Sequence, residues 1–457
     1  MKKTIAIIGT GYVGLTTAAL LSNAGFTVYT VDINKEKIDT IKTGKSYFYE
    51  AGLNEFVKKG VELGTLLPTT SVEEAVPQAD IVFSCVGTPD KPDGSSDLTQ
   101  IYAAAESVVK HAKEGLIFVQ KSTVPVGTGK AVREHMRSTR PDVSVHYISN
   151  PEFLAEGSAV YDTLHFDRLV VGGEDNEAVQ EVVTVFHELT RFAKSIDASE
   201  YAEYAAFYNG KLFNDDPQII TTNLESAELI KVTANAFLAL KISFANSIAL
   251  LCDTSGADIS QVMHGVGGDR RIGKSFLYAG LGWGGGCFPK DVSGLLAVGQ
   301  SHGVQLPIME SAVEVNQGMP EYAVEKLAQE AGNLPEKTIA ILGLSFKPGT
   351  SDVRRSQSIK LANMLAQIAK EVRAFDPQAM EEAREHTDEE VLFTGTLEEC
   401  IEGADVVVLA TEWKEFIEYD WTSVQDKLKG TILLDARNRL DKDAITAAGM
   451  RYVGIGR

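Results

Sequence analysis

Short apolar runs alternate with helix-favouring stretches through the first part of the chain. The first three runs lie at residues 5–8, 27–31 and 81–86, and each is followed by a turn rich in Gly, Thr, Pro or Asp. Further runs of this kind lie at 116–119, 143–148 and 169–171. Because strands buried on both faces of a parallel sheet are apolar throughout, this pattern predicts an α/β fold built on a parallel sheet.

The middle of the chain has a different pattern. Residues 226–253 contain no proline or glycine and are rich in Ala, Leu, Ile and Lys, which predicts one long helix. Its apolar residues lie on nearly all sides, so we expect it to be buried between domains or subunits. Lys231 and Asn235 are one turn apart and would project together. A lysine on so apolar a helix is costly unless it pairs, reaches solvent or takes part in chemistry.

The last third of the chain repeats the opening. Residues 338–343 read Thr-Ile-Ala-Ile-Leu-Gly, against Thr-Ile-Ala-Ile-Ile-Gly at 4–9. The later glycines are absent, so this second α/β unit should not bind a dinucleotide in the same way. Lys347 and Arg437 follow predicted strand ends, where a phosphate-bearing ligand could be held. We expect three domains, which we place at 1–217, 218–332 and 333–457.

The first apolar run leads into a glycine turn. Gly9, Gly11 and Gly14 have the spacing Gly-x-Gly-x-x-Gly, a helix-favouring stretch follows, and Asp32 ends the second run. In a dinucleotide-binding βαβ unit, such glycines admit the pyrophosphate to the helix N-terminus, and the carboxylate accepts a hydrogen bond from the ribose. The motif predicts NAD binding, and Asp32 favours NAD over NADP because a carboxylate would repel a 2′-phosphate.

A second glycine run precedes a cysteine. Residues 282–291 read Gly-Trp-Gly-Gly-Gly-Cys-Phe-Pro-Lys-Asp. Glycines leave the backbone free to take positive φ and to let a ligand approach, and Lys290 could favour the thiolate of Cys287. Cys287 is therefore a candidate nucleophile. The alternative is a small buried hydrophobic side chain beside an ordinary loop.

Composition narrows the function classes. The 457 residues carry a net charge of −20, which argues against a nucleic-acid partner. The four cysteines are scattered, with neither a disulfide framework nor metal-ligand spacing, so we expect no metal and a reducing cytoplasm. The basic, apolar N-terminus imitates a secretory signal but is broken by glycines, and no uninterrupted apolar run is long enough for a membrane span.

Taken together, the motifs resemble the nucleotide-sugar 6-dehydrogenase family, in the same order over nearly the whole chain. The motifs that carry the resemblance lie at 9–32, 87–89, 121–125, 150–157, 231–235, 271–273, 285–291 and 346–347. The family's fold implies an N-terminal Rossmann NAD-binding domain, a long central helix with a helical dimerisation region, and a C-terminal Rossmann-like domain that grips the nucleotide of a UDP-sugar. We therefore expect a homodimer formed through the central helix.

The resemblance also implies roles for individual residues. The catalytic residues would be Cys287, Lys231, Asn235, Asp291, Glu152, Glu156 and Thr123. The cofactor-binding residues would be Gly9, Gly11, Tyr12, Val13, Gly14, Asp32, Lys37, Thr88, Thr123, Glu156, Lys290 and Arg354. The substrate-binding residues would be Glu152, Phe153, Leu154, Lys231, Asn235, Arg271, Phe276, Gly284, Lys347 and Arg437. In this scheme Cys287 is the nucleophile, Asp291 assists in acid–base work, and Glu152 is the general base for hydrolysis.

The implied reaction is an oxidation of UDP-glucose to UDP-glucuronate with two NAD per sugar, through a thiohemiacetal and a thioester on the cysteine. Sister activities on GDP-mannose or UDP-N-acetylmannosamine, a non-catalytic NAD-binding scaffold, and a hydroxyacid dehydrogenase are the alternatives. The chain departs from the family pattern at Gly286, where a serine is usual, and in a longer aromatic connection at 191–217.

Overall fold

The computed structural model describes residues 2–197, 199–208, 217–424 and 426–457, without the side chains of residues 207 and 208. Most of the later part of the predicted connection at 191–217 therefore lies outside the described residues. The chain divides into two compact units, Met1–Thr233 and Ala234–Arg457. The division falls inside one long helix, so the two boundaries between the three predicted domains stay a prediction.

The first unit is built on an eight-stranded sheet. Its strands are β1 Thr4–Ile8, β2 Thr27–Val31, β3 Leu66–Thr69, β4 Ile81–Ser84, β5 Leu116–Gln120, β6 Val145–Ser149, β7 Arg168–Gly173 and β8 Gln218–Thr222. They are ordered β3-β2-β1-β4-β5-β6-β7-β8, with one antiparallel pair, β6 and β7. Its helices are α1 Tyr12–Asn23, α2 Lys35–Lys42, α3 Leu53–Glu62, α4 Val72–Ala75, α5 Thr99–His111, α6 Thr128–Thr139, α7 Ala159–Leu164, α8 Asn176–Ala193 and α9 Ala202–Tyr208.

Both faces of this sheet are covered, which explains the uninterrupted apolar runs. In β1, Ile5 and Ile7 belong to one hydrophobic core, and Ala6 and Ile8 belong to another on the opposite face. Successive side chains of a strand point to opposite faces, so each face needs its own apolar set. The predicted strands are confirmed to within about two residues, but the two edge strands were missed: β3, and β8, which lies after the predicted boundary at 217.

The second unit is built on a six-stranded, fully parallel sheet. Its strands are β9 Thr338–Leu342, β10 Glu371–Phe375, β11 Val391–Phe393, β12 Val406–Leu409, β13 Ile432–Asp435 and β14 Arg451–Gly454, in the order β11-β10-β9-β12-β13-β14. After the long helix α10 Leu224–Ser255, its helices are α11 Ile259–Gly267, α12 Phe288–Ser301, α13 Pro307–Ala331, α14 Gln357–Ala366, α15 Met380–Arg384, α16 Leu397–Ile401, α17 Lys414–Ile417 and α18 Lys442–Ala447.

Helix α10 confirms the predicted long helix. Among the described residues it is the one helix long and apolar enough to cross a membrane by length and composition, with a window of mean hydropathy 1.5. Core helices of water-soluble proteins meet the same criterion. The finding is therefore weak evidence for a membrane span, and the expectation that the chain does not enter a membrane is not tested by it.

Helix α13 is longer than the sequence predicted. The expected helix covered residues 305–318, but the structure continues it to Ala331 through Pro320. A proline inside a helix removes one hydrogen-bond donor and usually ends or bends the helix. Here Met319, Ala323 and Leu327 are buried in the core of the second unit. Burial of these apolar side chains offsets the lost hydrogen bond.

The two sheets end differently after their second strands. Asp376 follows β10 as Asp32 follows β2, but Asp376 is almost fully buried. Its Oδ2 accepts from the Ser345 amide at 2.9 Å and from Trp413 Nε1 at 3.1 Å. Because this carboxylate is almost fully buried, whereas Asp32 is partly exposed, it is poorly placed to accept from a ribose. This supports the prediction that the second unit does not bind a dinucleotide as the first does.

Candidate functional site

The three glycines after β1 are present for different structural reasons. Gly9 has φ 94°, and a Cβ on it would lie 2.8 Å from the Cys85 carbonyl oxygen. A Cβ on Gly14 would lie 1.9 Å from the Gly9 carbonyl oxygen. Gly11 has φ −59°, and no atom of the described residues lies within 4 Å of a Cβ built there. Packing therefore demands Gly9 and Gly14, whereas the open space at Gly11 fits a dinucleotide that approaches the backbone.

Asp32 is held in place by the same turn. Its Oδ2 accepts from the Thr10 amide at 2.9 Å and from Thr10 Oγ1 at 2.6 Å, and its Oδ1 accepts from the Asn34 amide at 2.9 Å. Burial raises the pKa of Asp32, but hydrogen bonds from Thr10 and Asn34 outweigh it and leave the pKa below its usual value. The carboxylate stays charged and oriented, as a ribose-binding acceptor must be.

We expect Gly14→Ala to act mainly on stability and Gly11→Ala to act mainly on NAD binding. Gly14→Ala should lower the free energy of unfolding by about 3 kcal/mol or more, because its Cβ meets backbone. Gly11→Ala should change it by no more than about 1 kcal/mol. It should instead weaken NAD binding about tenfold, or about 1.4 kcal/mol. Urea unfolding and NAD titration check both. Equal loss of stability in the two variants would contradict this assignment.

Other predicted cofactor residues lie near the same turn. The Tyr12 ring packs at 4.1 Å from the Phe48 ring. Lys37 Nζ lies 4.7 Å from the centre of the Tyr47 ring, whose hydroxyl donates to the Thr10 carbonyl at 3.0 Å. Thus Lys37 is close to the Asp32 turn through Tyr47, which the sequence did not indicate. Val13 lies in the first turn of α1 and Thr88, after β4, is buried.

A buried ion pair links α10 to the segment after β6. Lys231 Nζ lies 3.2 Å from Glu152 Oε1, and both side chains are largely buried. Glu152 Oε2 accepts from the Leu154 amide at 2.8 Å, and the Phe153 ring centre lies 5.5 Å from Lys231 Nζ. Four predicted substrate residues are thereby brought together, and the cost of burying the lysine is offset by its carboxylate partner. Such a pair can hold an oxyanion at the ammonium and a water molecule at the carboxylate.

A third charged residue, Lys121, interacts with this pair and was not singled out from the sequence. Lys121, after β5, is buried, and its Nζ donates to Asn150 Oδ1 at 3.2 Å. Burial lowers the pKa of Lys121, and the neighbouring Lys231 lowers it further, although Cys85 and Glu152 act in the opposite direction. Lys121 and Glu152 line one cavity of about 100 Å³. A polar cavity of this size is large enough for water molecules.

The segment that carries Glu152 and Glu156 is not helical. Helix α7 begins only at Ala159, so the two carboxylates do not share a helix face. Glu50 anchors the segment, because its carboxylate accepts from the Gly157 amide at 2.9 Å and from the Ala159 amide at 2.8 Å. No sequence signal marks Glu50. The predicted catalytic and cofactor-binding roles of Glu156 and Thr123, both only partly buried, stay predictions.

A second buried carboxylate fixes the start of α10. Glu228, one turn before Lys231, accepts from the Gly127 amide at 2.7 Å and from the Gly129 amide at 2.6 Å. These amides lie at the N-terminus of α6, which carries the positive end of the helix dipole. Burial raises the pKa of Glu228 to about 7, although the two backbone hydrogen bonds hold it down. Glu228 thereby ties the helix that carries Lys231 to the loop after β5.

We expect Glu228 to make stability depend on pH. Its folded-state pKa of about 7 exceeds the usual value of 4.5, so the folded state binds this proton more tightly. The contribution is complete below pH 4.5 and is lost as pH rises through 7, by about 3 kcal/mol in total. Urea unfolding of the wild type and Glu228→Gln between pH 5 and 8 measures it. Parallel curves for the two proteins would contradict this effect.

Cys287 caps the N-terminus of α12 in the second unit. It is the one exposed cysteine of the four. The positive end of a helix stabilises an anion such as a thiolate. In the first turn of this helix, Asp291 is buried and accepts from Asn235 Nδ2 at 2.6 Å and from Lys290 Nζ at 2.7 Å. The structure therefore brings Asn235 to Asp291, and it pairs Lys290, a predicted cofactor residue, with the same carboxylate.

The glycine run before Cys287 is tightly packed. A Cβ on Gly282 would lie 2.1 Å from Asn316 Oδ1, one on Gly284 would lie 2.4 Å from the Arg355 carbonyl oxygen, and one on Gly285 would meet the Phe346 ring at 2.7 Å. Gly282 and Gly285 have positive φ, as predicted. However, at these positions the space that glycine leaves is filled by the protein's own atoms. The glycines before Cys287 are therefore tightly packed against other residues of the second unit.

A cavity of about 340 Å³ in the second unit collects four predicted substrate residues. These are Phe276, Gly284, Lys347 and Arg437. The sequence missed other residues of the lining, among them Tyr278, Trp283, Phe288, Glu412 and Arg439. Aromatic faces suit a nucleotide base, and cationic groups suit a diphosphate. Arg271 is not in this lining; its exposed guanidinium pairs with Asp269 at 2.6 Å.

Arg437 also supports the loops around the cavity. Its guanidinium donates to the carbonyls of Ala410 at 2.6 Å, Gly282 at 3.1 Å and Phe346 at 3.2 Å. Burial lowers the pKa of Arg437, and Glu412 counteracts this at 3.5 Å. Arg437 therefore holds the glycine run in place in addition to any contact with a ligand.

Comparisons with known proteins agree with this arrangement. Three domain profiles of the UDP-glucose/GDP-mannose dehydrogenase family match: the NAD binding domain at 3–190, the central domain at 225–318 and the UDP binding domain at 340–442. UDP-glucose 6-dehydrogenase YwqF of Bacillus subtilis (strain 168) is 39% identical over 457 residues, covering 99% of this chain and 97% of the relative.

Solved structures show the same fold. A UDP-glucose dehydrogenase from Pyrobaculum islandicum matches with a TM-score of 0.87 at 33% identity, over 100% of this chain and 98% of that chain. A UDP-D-ManNAc dehydrogenase from Pyrococcus horikoshii matches with a TM-score of 0.83 at 26% identity, over 99% of both chains. The predicted fold class and the predicted cofactor, NAD, are confirmed. The chain belongs to the UDP-glucose/GDP-mannose dehydrogenase family and is an NAD-dependent oxidoreductase.

Proposed function

We propose that the chain oxidises UDP-glucose to UDP-glucuronate in two steps through a covalent intermediate on Cys287. The observation that carries the proposal is an exposed cysteine at a helix N-terminus in a chain with an NAD-binding domain. Oxidation of a primary alcohol to an acid removes two hydrides from one carbon, so an aldehyde must be retained between the steps. A thiolate retains it as a covalent adduct.

The reaction takes place at the Cys287 sulfur, at the C6 oxygen of the sugar and at the attacking water molecule. Bound NAD supplies the hydride acceptor for each oxidation. The Cys287 thiolate adds to the aldehyde carbon, and the carbonyl oxygen becomes the oxygen of a thiohemiacetal. Loss of hydride from that carbon leaves a thioester. Water then adds to the thioester, the carbon–sulfur bond breaks, and the thiolate and the uronate carboxylate are released.

The buried polar groups suit the charges that develop. Lys231 would stabilise the negative charge on the C6 oxygen, and Glu152 would take a proton from the attacking water. Asn235 donates a 2.6 Å hydrogen bond to Asp291, which lies in the first turn of the helix that begins after Cys287. We assign them to orienting the reacting oxygen and to proton transfer. The remaining cofactor and substrate assignments given above belong to the same proposal.

The cavity that contains Lys347 is the proposed site for the UDP group. We expect Lys347→Met to raise the KM for UDP-glucose about tenfold and to change kcat much less, because a diphosphate contact contributes equally before and during reaction. Steady-state kinetics with both substrates varied checks this. Lys442→Met, an exposed lysine of the same unit that is not in the lining of this cavity, is the control. An unchanged KM in Lys347→Met would refute the assignment.

We also propose a homodimer formed through α10, located in a reducing cytoplasm. Phe237, Phe244 and Leu251 are exposed on this helix at seven-residue spacing. Such a stripe is typical of a helix that packs against a partner. Among the described residues, Cys85, Cys252 and Cys400 form no disulfide, which suits a reducing compartment. Sedimentation of the intact chain as a monomer would contradict the dimer.

Sister substrates are the second candidate. The identity to the UDP-glucose enzymes, 39% and 33%, exceeds the 26% identity to the UDP-D-ManNAc enzyme and so favours UDP-glucose. A panel of UDP-glucose, GDP-mannose and UDP-N-acetylmannosamine at equal concentration, followed by NADH absorbance, tests the choice. We expect the largest kcat/KM with UDP-glucose. Preference for another sugar would overturn the substrate assignment, and no NADH with any would overturn the activity.

A further inference from the structure

At Gly286, the residue before Cys287, the guanidinium of Arg354 occupies the space that a side chain would fill. A Cβ built on Gly286 would lie 2.4 Å from Nη2, 2.5 Å from Cζ and 2.8 Å from Nη1 of Arg354. The backbone of Gly286 is outside the left-handed region, so its conformation does not require glycine. What the glycine provides is space for the guanidinium.

Arg354 is held in this position by contacts of its guanidinium and of its backbone. Its Nε donates to Asp352 Oδ1 at 2.9 Å and its Nη2 donates to Asp352 Oδ2 at 2.7 Å. Its backbone carbonyl accepts from the Gly285 amide at 2.9 Å. The Asp352 side chain is nearly buried. A side chain at position 286 would therefore force the guanidinium to leave this two-point ion pair or force the loop to move.

The guanidinium lies close to the backbone that precedes Cys287. With a Cα–Cβ bond of about 1.5 Å, its atoms lie within about 4 Å of the Gly286 Cα, and the next Cα is Cys287 at about 3.8 Å. Lys290, the cation that the sequence suggested for the thiolate, is paired with the buried Asp291 and is itself largely buried, whereas the Arg354 side chain, which pairs with Asp352, is 59% exposed.

We propose that the absence of a side chain at Gly286 lets the Arg354 guanidinium lie next to Cys287, where it acts as an anion-binding group. The inference rests on the proposed role of Cys287 as nucleophile. In that role the groups that gain negative charge are the thiolate and the oxygen of its adduct. The guanidinium takes the space of the serine side chain that is usual at this position, so a cation replaces a hydroxyl.

Alkylation with two reagents of the same size tests the charge directly. Iodoacetate is an anion and iodoacetamide is neutral, and both transfer their carbon to the thiolate as iodide leaves. The ratio of their rate constants, iodoacetate over iodoacetamide, reports the positive charge near Cys287 and cancels changes in thiol accessibility. Cys287→Ser gives the background from the other cysteines, of which Cys85 has a pKa raised to about 12 by burial.

We expect Gly286→Ser and Arg354→Gln each to lower this ratio about threefold at low salt. In the Arg354→Gln background, adding Gly286→Ser should change the ratio no further, because the group that it displaces is gone. The differences should shrink in 1 M salt. Gly286→Ala, which adds only the Cβ, repeats the test if the serine variant unfolds.

An unchanged ratio in Gly286→Ser, or the same decrease with and without Arg354, would overturn the inference. Alkylation needs neither NAD nor a sugar nucleotide. If no nucleotide sugar were oxidised while the ratios behaved as expected, the proposed function would fail and the positioning of Arg354 by Gly286 would stand.

Discussion

Cys287→Ala is expected to lower the rate of UDP-glucuronate formation by about 10³-fold or more, because no thiolate then captures the aldehyde. A serine hydroxyl is a far weaker nucleophile than a thiolate, so Cys287→Ser should also be severely impaired. The measurement is the steady-state rate of acid formation with saturating NAD and UDP-glucose. Binding of NAD to its own domain should be unchanged, which a titration of the same variant checks.

Cys252→Ala is the matched control for this experiment. Cys252 is buried in the hydrophobic core of the second unit, so its removal costs some stability and no chemistry. We expect nearly wild-type acid formation from it. Undiminished acid formation by Cys287→Ser would show that the intermediate does not form on this sulfur.

Lys231→Ala is expected to lower kcat by about 10²- to 10³-fold, the usual effect of removing one donor to a developing oxyanion. The same change leaves Glu152 buried without the cation that lies 3.2 Å away, so stability should also fall. Lys231→Arg keeps the charge and should retain the fold better than it retains activity, because the planar guanidinium places its donors differently.

A lysine farther along α10 separates the two effects. Lys241 donates to the Ile272 carbonyl at 3.2 Å. Lys241→Ala removes a lysine from the same helix without touching the Glu152 pair. It should leave kcat within about twofold, because surface polar contacts are worth little. Equal losses of kcat in Lys231→Ala and Lys241→Ala would contradict a special role for Lys231.

Sequence periodicity predicted the parts of the fold that depend on local pattern. The apolar runs predicted six of the eight strands in the first sheet and three of the six in the second, β9, β12 and β13, and the absence of proline and glycine predicted α10. It failed where tertiary packing overrides local preference: Pro320 lies inside α13 because the flanking residues are buried, and β8 pairs with a strand about 50 residues earlier. No local signal encodes such a pairing.

For the site, the sequence identified candidate residues better than it identified the side chains that those residues contact. Lys231 and Glu152 were both named, but that they pair with each other depends on how the segment after β6 returns to α10. Lys290 was expected to serve the thiolate and instead meets Asp291, its sequence neighbour. Glu50 and Glu228 were not named, because a buried carboxylate that accepts from backbone amides has no motif. Such partners are set by the fold as a whole.

The most direct test of the proposed reaction is the amount of NADH formed per uronate. The protein is mixed with NAD and a limiting amount of UDP-glucose, NADH is followed by absorbance, and UDP-glucuronate is quantified at the end. Two oxidations at one carbon predict two NADH for each UDP-glucuronate, with no free aldehyde. One NADH per sugar with an aldehyde product, or no NADH at all, would contradict the proposal.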